Sequence, residues 1–314
     1  MRFRLVEPAD LPACRSLLNP ALRLGRRVLD RLPGIWRALA VCGTFSVIED
    51  PIKPHPDCIM GFGASVFVSD RFVEGFVADR RSYLDAALYQ RIIDGPSPVL
   101  SEAEIRAANS GDGLNLVVLS YGLRDHDLTN PVTQRVLQMG STAFYALHAG
   151  YKIKTIVNEV FGQAAAHYMK AGGFHPQETT APPAPGMVEH ERPHLFALRR
   201  EWVEPGAVDS LAALFFPAEP RIGFSPAEQR VLAHALLNRS DAEIAEHLGL
   251  SGDGIKKTWR RVYDRVSGRL PYLIADEHKP GAAGRSTEKR RHVLDYLRTH
   301  PEEVRPSRRP PTRT

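Results

Sequence analysis

Apolar positions recur with two different periods along this chain, and the change of period divides it. Up to about residue 200, short apolar runs alternate with amphipathic helical stretches, whereas beyond residue 222 only the helical period continues. Residues 1–6 alternate as a strand, and Asp10 is placed to cap a helix carrying Leu11, Cys14, Leu17 and Leu18. A second helix is predicted over about 22–32. Residues 44–48 and 58–68 read as strands joined by a turn-rich connection, and they are expected to pair antiparallel. Helices follow at about 83–93 and 101–108, divided by Pro96 and Pro98, and Ser101 with Glu104 makes a capping box for the second. Residues 114–120 are the most apolar short run of this half and suit a central strand. The pattern then predicts a helix at 133–148, a strand at 154–160, and a helix at 162–171 stopped by Gly172 and Gly173. After a proline-rich loop at 182–185 a last strand is predicted at 194–199. The result is a mixed sheet with helices on its faces.

The region from 224 to 266 carries the most specific signals. Ser225, Pro226 and Glu228 form a capping box with proline at the first helical position, for a helix burying Leu232, Ala235 and Leu236. Ser240 and Glu243 repeat the box for a short helix with Ile244, Ala245 and Leu248 on its apolar face, stopped by Gly249. Ser251 caps a third helix. There Ile255, Trp259, Val262 and Val266 recur at four, three and four residues on one stripe, while Lys256, Lys257, Arg260 and Arg261 fall outside it. Two short helices joined by a glycine turn, the second cationic on its free face, form a shape that fits the DNA major groove. The bland alternative is a three-helix bundle with an ordinary solvated basic face.

These residues also resemble a known family. Glu228 before Val231-Leu232, the run Glu243-Ile244-Ala245, Leu248-Gly249-Leu250-Ser251 and Ile255-Lys256 resemble the LuxR-type helix-turn-helix domain of bacterial transcriptional regulators. The resemblance implies a DNA-facing set of Lys256, Lys257 and Arg260, with Ser251, Thr258 and Arg261 close by. Gly254 in the first turn and the bulky Trp259 depart from the family pattern.

Over roughly the first two hundred residues the element order resembles the GNAT-type N-acetyltransferase superfamily, through residues 4–18 (RLVEPADLPACRSLL) and 165–174 (AAHYMKAGGF). That resemblance implies that Tyr168 falls where many members carry a tyrosine protonating the departing thiolate of coenzyme A; the competing reading is a core aromatic with its hydroxyl at the edge. Between the central strand and the next helix the family usually has a glycine-rich pyrophosphate loop. Here the segment reads LRDHDLTNPVTQRV, without glycine, and Pro131 removes a backbone donor. Phe161 also stands where a polar residue is common. Acetyl transfer is therefore expected to be lost. Gly61-Phe62-Gly63 lies inside a strand pattern and reads as a tight packing point, and Asp125, Asp127 and Glu159 as polar residues near a sheet end.

Charge sharpens the division. The chain of 314 residues carries a net +5, yet residues 221–314 hold 19 Lys and Arg against 12 Asp and Glu, a net +7, and the remainder is net −2. A basic excess confined to the last third is what attraction to phosphate requires. Cys14, Cys42 and Cys58 are widely spaced, without a metal-binding pattern, and read as buried or incidental thiols. No targeting signal or membrane-spanning run is recognised, so a cytoplasmic, nucleoid-associated protein is expected.

The expected fold class is α+β, a GNAT-like mixed sheet flanked by helices, followed by an all-α helix-turn-helix DNA-binding domain. The expected division is a sensing or dimerisation domain over 1–201, a linker over 202–222 with a short helical run at 208–216, the helix-turn-helix domain over 223–270, and a basic extension over 271–314. In the extension an apolar patch at 270–274 or a helix at 286–297 is expected to serve dimerisation, with a flexible break at 280–284 and disorder from 305. The expected function is regulation of transcription. Expected partners are double-stranded DNA, a second copy of the chain and RNA polymerase, with no membrane, metal or cofactor. The alternative is an acyl-CoA-dependent N-acetyltransferase with a regulatory DNA-binding module, and an acyl-CoA or another small molecule is the candidate effector.

Overall fold

A computed structural model describes residues 1–179, 188–205, 211–274 and 285–307. The expected proline-rich loop at 182–185, the break at 280–284, the first part of the run at 208–216 and the tail beyond 307 lie outside the described residues. The chain divides into two units, Met1–His148 with Lys152–Phe215, and Ala149–Tyr151 with Phe216–Thr314.

The first unit is a mixed sheet flanked by helices. In chain order it comprises β1 (Arg2–Leu5), α1 (Leu11–Ser16), α2 (Arg26–Leu39), β2 (Thr44–Glu49), β3 (Ile59–Val68), α3 (Asp70–Ala78), α4 (Leu84–Asp94) and α5 (Glu102–Asn109). Then come β4 (Leu114–Leu123), α6 (Pro131–His148), β5 (Ile153–Phe161), α7 (Gln163–Ala171), β6 (His175–Pro176) and β7 (Pro193–Arg199). The strand order is β1-β2-β3-β4-β5-β7-β6, antiparallel throughout except for the parallel pair β4 and β5. The long central strands are buried on both faces, which is why residues 114–120 read as a nearly continuous apolar run. On one face Trp36 packs 5.0 Å from Phe62 and 6.5 Å from Phe45, ring centre to ring centre. Gly61 lets β3 approach α6, since a Cβ there would stand 2.8 Å from Val136.

Several elements differ from expectation. Asp10 does not cap α1 through its side chain: the preceding turn Pro8–Asp10 brings its carboxylate to the Glu7 N–H at 2.8 Å and to Arg4 at 2.6 and 2.9 Å. The helix expected at 22–32 is a 3-10 turn, Pro20–Leu22, followed by α2, which runs through Pro33 to Leu39. Val28, Leu32, Trp36 and Leu39 recur on one buried face, and their burial outweighs the missing proline donor. Helix α3 has no sequence counterpart, and β6 is a two-residue addition to the sheet edge.

The second unit is helical: α8 (Pro226–Leu236), α9 (Asp241–Leu248), α10 (Gly252–Arg269) and α11 (Arg285–Thr299). Its own core contains Val231, Leu232, Ile244, Ile255, Trp259, Val262, Val266, Val293 and Leu297. In the apolar patch at 270–274 and the helix after it, either of them expected to serve dimerisation, Ile274, Val293, Tyr296 and Leu297 are buried in this core, while Pro271 and the 69% exposed Tyr272 stand out. Beyond α11 the chain stays ordered through the turn Pro301–Val304. There the fully buried Glu303 accepts the backbone N–H groups of Arg221 (2.7 Å) and Ile222 (3.0 Å), with the Tyr296 hydroxyl donating at 3.2 Å. No helix among the described residues is long and apolar enough to cross a membrane.

Candidate functional site

The arrangement of α8, α9 and α10 is built by its caps. Ser225 and Glu228 exchange bonds at the start of α8, Ser240 and Glu243 do so at the start of α9, and Ser251 accepts the Gly254 N–H at 3.1 Å. Gly249 takes a left-handed φ of +63°, and Leu250 N–H returns to the Ala245 carbonyl at 2.8 Å, so the chain turns sharply from α9 into α10. The buried carboxylate of Glu228 also receives Arg265 Nε at 3.0 Å, which ties α8 to α10.

The buried stripe of α10 is Ile255, Thr258, Trp259, Val262 and Val266. Lys256, Lys257, Arg260 and Arg261 are exposed. Lys256 stands 3.6 Å from the equally exposed Asp253, a contact that water screens. Lys257, Arg260 and Arg261 have no ion-pair partner among the described residues. Thr258 corrects the expected DNA-facing set. It is buried, with its hydroxyl donating to the Gly254 carbonyl at 2.9 Å, because it sits beside Trp259 on the packed side of the helix. The Ser251 hydroxyl is occupied with capping the Gly254 N–H.

In the first unit, pairing between β4 and β5 runs from Leu114 opposite Ile153 to Val118 opposite Asn158. Beyond it β4 continues beside β3 and β5 beside β7, so the two parallel strands part. At this opening Ser120 donates to Asp85 at 2.6 Å, and Glu159 accepts the N–H groups of Tyr83 (2.7 Å) and Leu84 (2.9 Å). The start of α4 is thus docked on both strands. Burial pushes the Glu159 carboxyl up to about 7 and that of Asp85 up to about 6, against the hydrogen bonds each accepts. Sequence reading missed this grouping, since Glu159 and Leu84 are 75 residues apart and no motif joins them.

The segment after β4 is closed on itself. Asp125 accepts the Asp127 N–H (2.9 Å) and the Asn130 side chain (2.8 Å), Asp127 accepts from Thr129, and Asn130 accepts the Val132 N–H at 2.8 Å. These bonds hold Asp125 below the usual carboxylate range. A helix start with two carboxylates and a donor already occupied by Asn130 disfavours a pyrophosphate. Tyr168 is 54% exposed on α7, which removes the core-aromatic reading. Cys14 and Cys58 are buried and Cys42 half-buried; burial pushes the Cys14 thiol up to about 12.

No protein-family model matches the chain, and no curated relative matches it. Among solved structures it is similar to NAA60 of Arabidopsis thaliana in complex with acetyl-CoA, at 11% identity and a TM-score of 0.36, over 63% of this chain and 97% of that one. It is similar to FeeM, an N-acyl amino acid synthase from uncultured soil microbes, at 14% identity and a TM-score of 0.34, over 64% and 91%. A spermidine N-acetyltransferase of Vibrio cholerae gives 11% identity and a TM-score of 0.35, over 65% and 98%. At these scores the likenesses carry no argument about activity, and the helix-turn-helix resemblance rests on its own residues.

Proposed function

We propose that this chain is a DNA-binding transcriptional regulator in which α10 enters the major groove and the first unit, on a GNAT-like fold, senses a small molecule or joins two copies. The observation that carries this reading is the exposure of Lys256, Lys257, Arg260 and Arg261 on a helix whose other face is buried, presented by a sharply turned and doubly capped helix pair. Such domains hold specific sites at about 10⁻⁸ to 10⁻¹¹ M at physiological salt. The reading includes a second copy of the chain, to match a two-fold operator, and RNA polymerase as partners. Fragments selected from the organism's own DNA supply the operator. Replacing Lys256, Lys257 and Arg260 together by alanine should abolish its shift while the helical circular dichroism stays unchanged; an unaltered shift overturns the assignment.

A second reading is acyl transfer from an acyl-CoA, with the helical unit as a targeting or regulatory module. The parting of β4 from β5 and the exposed Tyr168 favour it, while the anionic, self-capped segment 125–132 opposes it. Titration calorimetry with acetyl-CoA distinguishes the two. Binding together with loss of turnover in Tyr168→Phe supports the enzyme, and absence of heat at millimolar ligand rejects it.

A further inference from the structure

Asp241, the first residue of α9, is the meeting point of three helices. Its Oδ1 accepts the indole N–H of Trp259 on α10 at 3.2 Å and a guanidinium N–H of Arg290 on α11 at 2.8 Å. The same guanidinium lies over the Trp259 ring, 4.5 Å from its centre, and Tyr263 stacks against that ring at 5.7 Å. The side chains of Arg290 and Asp241 are 27% and 43% exposed, so the pair is only partly solvated.

We propose that Arg290 is a positioning residue for the DNA-reading helix: from α11 it locks the indole of α10 to the start of α9 and so fixes the rotation of α10 about its own axis. The proposal rests on the DNA-binding reading above. At about 100° per residue, Arg260 lies about 100° and Lys256 about 60° around the helix from Trp259. Any roll that frees the indole therefore carries both cations away from the bases they face. A guanidinium lays its plane on the ring while its edge donates to the carboxylate, an arrangement a compact, strongly hydrated ammonium matches poorly, so lysine is not an equivalent. The arrangement also gives Trp259 and α11 a purpose that their sequence alone did not disclose.

The test compares wild-type full-length protein with Arg290→Gln and Arg290→Lys. For each, affinity is measured at fixed salt for the selected operator and for an unrelated duplex, and the indole N–H resonance of Trp259, the one lost in Trp259→Phe, is recorded without DNA. Both variants should lower the ratio of operator to unrelated affinity about tenfold, the scale of one partly desolvated cation–π contact, and should shift the resonance. Arg290→Lys should keep its affinity for the unrelated duplex, because the charge is retained. A lysine variant with the wild-type ratio would reduce Arg290 to a phosphate contact and overturn the proposal, as would an unshifted resonance. Wild-type protein with no preference for any duplex would instead sink the DNA reading, and the resonance would still decide whether the lock exists.

Discussion

Glu159 accepts two backbone N–H groups, yet burial sets its carboxyl near neutrality, at about 7. An acid whose folded pKa is raised stays protonated in the native state while the unfolded chain has already released its proton. The stabilising difference is complete below the unfolded value, about 4.5, and is lost as pH rises toward 7, at about 1.4 kcal/mol per pKa unit. Asp85, pushed to about 6, acts in the same direction, while His194, lowered by burial, opposes both. The first unit's melting midpoint should therefore fall between about pH 5 and 7, and Glu159→Gln should flatten that slope; a slope unchanged in the variant would contradict the burial argument. His234 in the second unit has the opposite sign. Burial, then the neighbouring His247, lower it to about 4, so its contribution is present above 6.5 and disappears on acidification through 4. His234→Gln should leave the second unit less sensitive to pH between about 6.5 and 4, as read by helical circular dichroism.

Among the elements, local chemistry was the most legible part of the chain. The pairs at Ser101, Ser225 and Ser240 all form their reciprocal bonds, because a capping box spans only four residues and needs no tertiary partner. Ser240→Ala should cost about 1 kcal/mol, measured as a lower denaturation midpoint of the helical unit. Elements whose local signals conflict with their packing were not legible. Helix α3 contains Gly75 and β-branched Val73 and Val77, which hide the helical pattern, and what holds it is the burial of Val73 and Phe76. Gly75 is exposed and a Cβ there would meet nothing within 4 Å, so Gly75→Ala should stabilise the first unit by about 0.5–1 kcal/mol in thermal melts. The run of α2 through Pro33 and the burial of Thr258 belong to the same class, each decided by partners distant in sequence or by a backbone acceptor that spacing does not reveal. The opening beside Glu159 likewise needed the strand pairing to bring it together.

On the scale of the whole molecule, the two units differ in core and in charge. Each unit buries its own apolar cluster, and the +7 excess of residues 221–314 stands against −2 for the rest. On the DNA-binding reading, operator DNA should raise the melting transition of the helical unit by mass action on its native state. On the same reading, the logarithm of operator affinity should fall linearly with the logarithm of salt, and loss of Lys256, Lys257 and Arg260 should shallow that slope by about 0.9 for each phosphate contact removed. A salt-independent affinity would count against the reading.

Glu303 bonds the backbone at Arg221 and Ile222, so the threshold of the helical unit is secured by a carboxylate 82 residues further along the chain. Removing residues 301–304 would leave α8, α9 and α10 in place but unfasten the segment leading into them. The few atoms of one carboxylate thereby close a loop of chain around the helices, as a clasp closes a strap.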